Sequence, residues 1–168
     1  MLRRISSTEI TDIDQISVRL STQDYPLVLI FDADNTLVRQ GASPTEFARR
    51  VNEVIDLFGE MEMVERVIVL TNGPPRGVDR IIGRGNKPWT SRRRLGISRQ
   101  SGRVWVIGDQ VVTDGVLAWR LRGEFFHLVI DPDDDYPHQA RMRRLGQHVA
   151  PLIFKRGGFS DPPGRNGK

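Results

Sequence analysis

Apolar residues fall into short continuous runs separated by polar stretches. Runs of this length that are rich in β-branched residues and bounded by turn residues predict buried strands. Four such strands are predicted, at residues 27–31, 66–70, 103–107 and 126–130. Because helical patterns lie between them, the chain predicts an α/β fold: a mostly parallel, Rossmann-like sheet in three layers, with helices on both faces.

The clearest helical pattern lies between the first two predicted strands. Ser43 suits the N-cap, Pro44 suits the first helical position and Glu46 completes a capping box. Apolar residues follow at helical spacing, and Gly59 ends the helix. Further short helices are predicted near 12–16, at 89–95, from Thr113 to a cap at Gly123, and around 139–145.

Length and composition indicate a single soluble domain. The 168 residues, 38% hydrophobic and 27% charged, divide into a lead-in at 1–24, a main domain at 25–156 and a flexible tail at 157–168. No apolar run approaches the roughly 18 residues that span a bilayer, and no apolar segment follows the N-terminal arginines as in a secretory signal. The absence of cysteine excludes disulfides and thiolate chemistry and favours a cytoplasmic location.

The net charge of +4 favours anionic ligands without identifying one. Arginines cluster at 92–94, at Arg141 with Arg143 and Arg144, and near both termini. Solvated helix faces explain these clusters. The alternatives are a surface for nucleic acid, for acidic lipid headgroups at a membrane, or for a protein partner.

Candidate chemistry begins where the first predicted strand ends, at Asp32 and Asp34. Two carboxylates held together at a rigid strand end repel each other, so they persist if a cation neutralises them or if one is protonated. A hard, oxygen-seeking Mg²⁺ suits such a pair, and one carboxylate could then act as a nucleophile while the other transfers a proton. The alternative is an ordinary acidic turn in solvent.

The second and third predicted strands also end in candidate site residues. Thr71 and Asn72 follow the second strand, where a hydroxyl and amides could bind phosphate, and Asp109 follows the third with Asp114 one turn later. Lys87 lies on a loop between them. Ordinary turns, a helix cap and a solvated lysine are the alternatives. Because the carboxyl ends of parallel strands converge on one crevice, we expect these side chains to meet.

Together these motifs resemble those of the haloacid-dehalogenase-like phosphatases over about residues 11–132. The sequence at 32–36 resembles motif I, DxDx(T/V), Thr71 motif II, Lys87 motif III and 108–114 motif IV, GDxxxxD. The subgroup most resembled is the capless subfamily IIIA, YqeG-like group, which includes phosphatidylglycerophosphate phosphatases. The segment between Thr71 and Lys87 is shorter than in that group, and Ile81-Ile82 is the candidate remnant of its third strand.

The resemblance implies a Mg²⁺-dependent phosphomonoester hydrolase. Asp32 would attack phosphorus to form an aspartyl-phosphate, and Asp34 would be the acid and base. The implied Mg²⁺ ligands are Asp32, the backbone carbonyl of Asp34, Asp109 and, in support, Asp114, and the implied phosphate-binding residues are Thr71, Asn72 and Lys87. Phosphoryl transfer of this kind depends chiefly on positioning and charge neutralisation.

The segments in which a cap domain could be inserted are short, so no cap is expected. Water would then be excluded by a large lipid or macromolecular substrate, by a partner subunit such as a second copy of the chain, or by a membrane surface. Two other hypotheses stay open: a non-catalytic binding protein, and a phosphatase that acts on nucleic-acid ends. A receiver-type phosphoacceptor domain is disfavoured, because Asp34 would have no use there as an acid and base.

Overall fold

The computed structural model describes residues 3–39, 41–74, 76–82, 86–130 and 137–155, with 137–140 described as backbone only. A six-stranded, all-parallel sheet in the order β1-β6-β5-β2-β3-β4 forms its centre. The strands are β1 (Ser7–Ile10), β2 (Leu27–Asp32), β3 (Val64–Leu70), β4 (Ile81–Ile82), β5 (Arg103–Gly108) and β6 (Glu124–Leu128). The helices are α1 (Asp14–Leu20), α2 (Pro44–Gly59), α3 (Val116–Leu121), which a π-helical turn (Val111–Gly115) precedes, and α4 (Pro137–Ile153).

Helices cover both faces of the sheet, which explains why the central strand β2 is apolar from Leu27 to Phe31, before it ends at Asp32. Leu29 and Phe31 pack on the α1 and α2 side, whereas Val28 and Ile30 pack on the α3 and α4 side. A strand that is buried on both faces has no polar position in its pattern. The predicted three-layer α/β fold is therefore confirmed.

Most predicted elements are present. The four predicted strands correspond to β2, β3, β5 and β6, and β4 provides the short third strand beside β3. The predicted N-cap of α2 is also confirmed, since the Ser43 hydroxyl accepts a hydrogen bond from the Glu46 amide at 3.2 Å. The first helix, α1, begins later and extends further than the predicted 12–16 helix.

Two local predictions are wrong. The segment 89–95 forms separate turns, closed by backbone hydrogen bonds such as Trp89 N to Asn86 O and Ile97 N to Arg92 O. In so short a segment, few further hydrogen bonds can offset the cost of helix nucleation. Arg122, with a φ of 58°, takes the left-handed position after α3 that was assigned to Gly123. Gly123 is instead required for close packing, because a Cβ there would lie 2.4 Å from the Val104 carbonyl oxygen.

The sequence did not indicate β1, which pairs with β6 at the edge of the sheet. Its four residues contain a single aliphatic residue, Ile10, so no strand pattern is visible. The predicted tail at 157–168 lies outside the described residues. Within the described part of the chain, every helix is too short or too polar to cross a membrane.

Candidate functional site

The predicted site residues meet at the carboxyl edge of the sheet. Asp32 ends β2, Thr71 follows β3 and Asp109 follows β5. Because β2 pairs with β3 on one side and β5 on the other, these strand ends are neighbours. The connections that leave them, residues 33–43 and 71–80, are too short for a folded domain of roughly fifty residues or more.

Three carboxylates form the floor of this site. One oxygen each of Asp32, Asp109 and Asp114 lies within 4.8 Å of the other two. The π-helical turn brings Asp114 back to the end of β5, where its side chain accepts a hydrogen bond from the Gln110 amide at 3.3 Å. A Cβ at Gly108 would lie 2.4 Å from an Asp114 carboxylate oxygen, so this approach requires glycine.

Lys87 lies inside this cluster and not on the solvated loop edge. It is only 8% exposed, and its Nζ is 2.5 Å from Asp32 Oδ1 and 2.8 Å from Asp114 Oδ1. Asn72 fixes the Lys87 backbone: the Lys87 amide donates to Asn72 Oδ1 at 2.7 Å, and Asn72 Nδ2 donates to the Lys87 carbonyl at 3.4 Å. Asn72 therefore contacts Lys87, which the sequence analysis also gave as an implied phosphate-binding residue.

The acidic cluster fits a divalent cation. Three ionised carboxylates and one ammonium would leave two negative charges in a buried site, which a single divalent ion neutralises. Lys87 contacts Asp32 and Asp114, but the buried Asp109 Oδ1 has no hydrogen-bond partner among the described residues. An unsatisfied carboxylate oxygen beside two others provides the hard oxygen donors that such a cation requires.

Asp34 lies apart from the cluster in more open surroundings. Its side chain is 28% exposed, against 8% for that of Asp32. The Thr71 hydroxyl donates to Asp34 Oδ2 at 2.7 Å, and Arg76 Nη2 lies 2.6 Å from Asp34 Oδ1. The Arg76 guanidinium also stacks over Phe47, 4.5 Å from the ring centroid. The two carboxylates of the DxD sequence thus have separate partners.

The sequence analysis missed Arg76 and Asn35. Arg76 follows two prolines in the β3–β4 connection, a context that indicates only a turn. Asn35 has a φ of 60°, and its side chain donates a hydrogen bond to Asp109. Asparagine is among the few residues that adopt this left-handed conformation readily, and this preference was the one feature of the sequence that could have indicated a role for Asn35.

Burial governs the titration of the cluster. Burial is the largest cause that raises the pKa of Asp109 to about 7, and the negative charge of Asp114 is the second. Lys87 and the hydrogen bond from Asn35 act in the opposite direction. The same two causes raise the pKa of Asp32, which Lys87 opposes. Burial alone would lower the pKa of Lys87, but Asp114 and Asp32 outweigh it and hold that pKa above its usual value. Lys87 is therefore a permanent cation.

A pH-dependent stability is expected for the metal-free protein. The pKa of Asp109 in the folded state exceeds its usual value of 3.8. The contribution of this group to the free energy of unfolding is therefore fully present below about pH 4 and is lost as the pH rises to about 7. We expect the unfolding free energy, measured in a chelator, to fall over this range relative to that of Asp109→Asn. A constant difference between the two proteins would contradict the raised pKa.

Gly108 provides a test of the cluster geometry. In Gly108→Ala, the new methyl group would displace the Asp114 carboxylate, and we expect divalent-cation affinity, measured by titration calorimetry, to fall about 10- to 100-fold. Gly59→Ala is the control, since a Cβ at Gly59 meets nothing within 4 Å. Equal affinities in the two variants would show that Asp114 is not positioned through Gly108.

Comparison with family models, curated proteins and solved structures gave no match. Any functional assignment therefore rests on the residues of this chain. Its fold and site define a class: an α/β protein with a buried acidic cluster, able to hold a metal ion, at the carboxyl edge of a parallel sheet.

Proposed function

We propose that this protein is a Mg²⁺-dependent phosphomonoester hydrolase that acts through an aspartyl-phosphate on Asp32. The observation that carries the proposal is the convergence of Asp32, Asp109 and Asp114 near Lys87, with Asp34 two residues after Asp32 and held by separate contacts. Motif resemblance to the haloacid-dehalogenase-like phosphatases supports the same chemistry. Asp32, Asp109 and Asp114 would hold Mg²⁺, which when bound would neutralise charge on the phosphoryl group.

Asp32 has the surroundings of a nucleophile. A carboxylate oxygen of Asp32 forms a bond to phosphorus as the bond from phosphorus to the substrate's ester oxygen breaks. Lys87, 2.5 Å from Asp32 Oδ1, provides fixed positive charge where the phosphoryl oxygens would arrive. Because Asp114 also contacts the Lys87 ammonium and Asn72 bonds the Lys87 backbone, this charge is positioned before substrate binds.

Asp34 has the surroundings of a general acid and base. It gives a proton to the departing ester oxygen and then takes one from the water that attacks the aspartyl-phosphate, which releases phosphate and restores Asp32. Thr71 and Arg76 each contact a different oxygen of Asp34 and so fix its orientation. Its partly exposed side chain lets both the leaving alcohol and the attacking water reach it.

The substrate proposed is phosphatidylglycerophosphate, for which the open, capless site and the subgroup resemblance are the support. The function is tested by assaying phosphate release with Mg²⁺ from lipid, sugar, nucleotide and DNA-end phosphomonoesters. Faster release from phosphatidylglycerophosphate in anionic vesicles than from soluble compounds supports the lipid. Faster release from soluble compounds refutes the lipid alone, whereas no Mg²⁺-dependent release from any of them refutes the phosphatase.

Arg76 offers a test of how Asp34 is positioned. In Arg76→Gln, Asp34 loses one of its two side-chain partners in the described part of the chain and keeps Thr71. We therefore expect kcat to fall about tenfold with KM little changed, because orientation and not binding is lost. Arg80→Gln is the matched control, since Arg80 lies on the same connection but pairs with the exposed Asp56. A rise in KM at constant kcat would instead make Arg76 a substrate-binding residue.

A further inference from the structure

Away from the acidic site, arginines gather around a cavity of about 730 Å³. Its lining includes Arg92, Arg99, Arg103, Arg120 and Arg122, together with Tyr25 and Ser101. The cavity lies where β2 and β5 begin, since Pro26 and Arg103 belong to its wall, whereas the acidic site lies where these strands end. At about 3.3 Å per residue, the six residues of β5 separate the two sites by roughly 20 Å.

These arginines are not joined to carboxylates in ion pairs within the described part of the chain, although Glu65 at the rim attracts Arg92 electrostatically. Among the described residues, no ion pair joins any of the five to an aspartate or glutamate. Glu65, which contacts the rim, accepts hydrogen bonds from the Ser101 hydroxyl at 2.7 Å and the Gly102 amide at 2.9 Å instead. Five like charges that converge without ion pairs to carboxylates are unfavourable, and an anion in the cavity would relieve that repulsion.

Several of the guanidinium groups are held in place. Arg103 donates to the Tyr25 hydroxyl at 3.0 Å and lies over its ring, and Arg92 donates to the carbonyls of Leu121 and Ser98. Arg120 lies over the exposed Trp89 ring, 5.1 Å from its centroid. These contacts reduce the entropy lost when an anion binds.

A second cavity, of about 380 Å³, extends the basic surface. It shares Arg120 and Arg122 with the first and adds Arg3 and Trp119. Guanidinium groups match phosphate oxygens in pairs, and a site with five of them balances an anion of several charges rather than one. The larger volume lies within the usual range of small-ligand sites.

We propose that this arginine-lined cavity binds a small anion that carries several linked phosphate groups, as in inorganic polyphosphate or a nucleoside triphosphate. The site is independent of the proposed hydrolase activity. It differs from an extended nucleic-acid surface in that its five arginines surround one open depression. A ligand there would lie on the opposite edge of the sheet from the acidic cluster.

The test is calorimetric titration of the full-length protein with inorganic tripolyphosphate in a chelator, where the metal-free acidic cluster repels anions. We expect saturable one-to-one binding, weakened at least about tenfold in Arg99→Gln/Arg122→Gln. Both side chains are exposed and make no hydrogen bond or ion pair with other described residues, so the fold should survive, as thermal unfolding would verify. Arg49→Gln/Arg50→Gln, which removes the same charge from α2, is the control and should bind like the wild type.

Comparison with ATP separates the two ligand sources. Equal affinity supports polyphosphate as the ligand, and tighter ATP binding supports a nucleotide. The proposal is overturned if tripolyphosphate does not bind, or if the control variant loses as much affinity as the cavity variant. It is also overturned if a single-stranded oligonucleotide binds more tightly than either ligand with a steep salt dependence, which would indicate a nucleic-acid surface.

Discussion

Asp32→Asn is expected to abolish phosphomonoester hydrolysis while the protein stays folded. Asparagine keeps the shape of the side chain but removes the charge that attacks phosphorus, and no other carboxylate of the cluster lies at the end of β2. Loss of a nucleophile typically costs about 10⁶-fold in kcat, so activity should fall to background. The measurement is Mg²⁺-dependent phosphate release, with thermal unfolding to confirm the fold.

Asp79→Asn is the matched control, because Asp79 is exposed, lies on the β3–β4 connection and is not part of the acidic cluster. It should retain full activity. Acid-quenched wild-type protein should carry a phosphoryl group on the peptide that contains Asp32, and the Asp32→Asn variant should not. Undiminished hydrolysis by Asp32→Asn would refute the covalent mechanism.

The positions of the acidic residues could be predicted because strand ends are local features. The apolar run before Asp32 and the run before Asp109 each mark a buried strand, and parallel pairing then brings their ends together. No side-chain contact had to be known for this step. The same reasoning placed Thr71 next to the site, where its hydroxyl contacts Asp34.

Contacts that depend on burial could not be predicted in the same way. The motif resemblance placed Lys87 in the site as a phosphate-binding residue, but a lysine before a proline indicates a loop. Nothing in the local sequence shows that Lys87 is buried and pairs with Asp32 and Asp114. The arginine cavity is a similar case. The sequence shows a cluster at 92–94, but of these Arg92 lines the cavity, and it is joined there by arginines from three other segments.

Lys87→Met is expected to destabilise the metal-free protein strongly. It removes the ammonium that contacts Asp32 and Asp114 and leaves three carboxylates in a buried site. Breaking a buried ion pair in this way typically costs about 3–5 kcal/mol. The free energy of unfolding in a chelator, measured by denaturant titration, should fall by that order. Added Mg²⁺ should restore part of it, because an ion that binds only the folded state stabilises that state.

The double variant Lys87→Met/Asp114→Asn separates loss of charge balance from loss of packing. If the penalty comes from unpaired carboxylates, removing the Asp114 charge should recover much of the stability, and the two changes should be strongly non-additive. Lys155→Met, at an exposed lysine, should change the unfolding free energy by less than about 0.5 kcal/mol. Additive effects of the two site substitutions would show that Lys87 stabilises the fold through its apolar stem, and the charge-balance account of the acidic cluster would then be wrong.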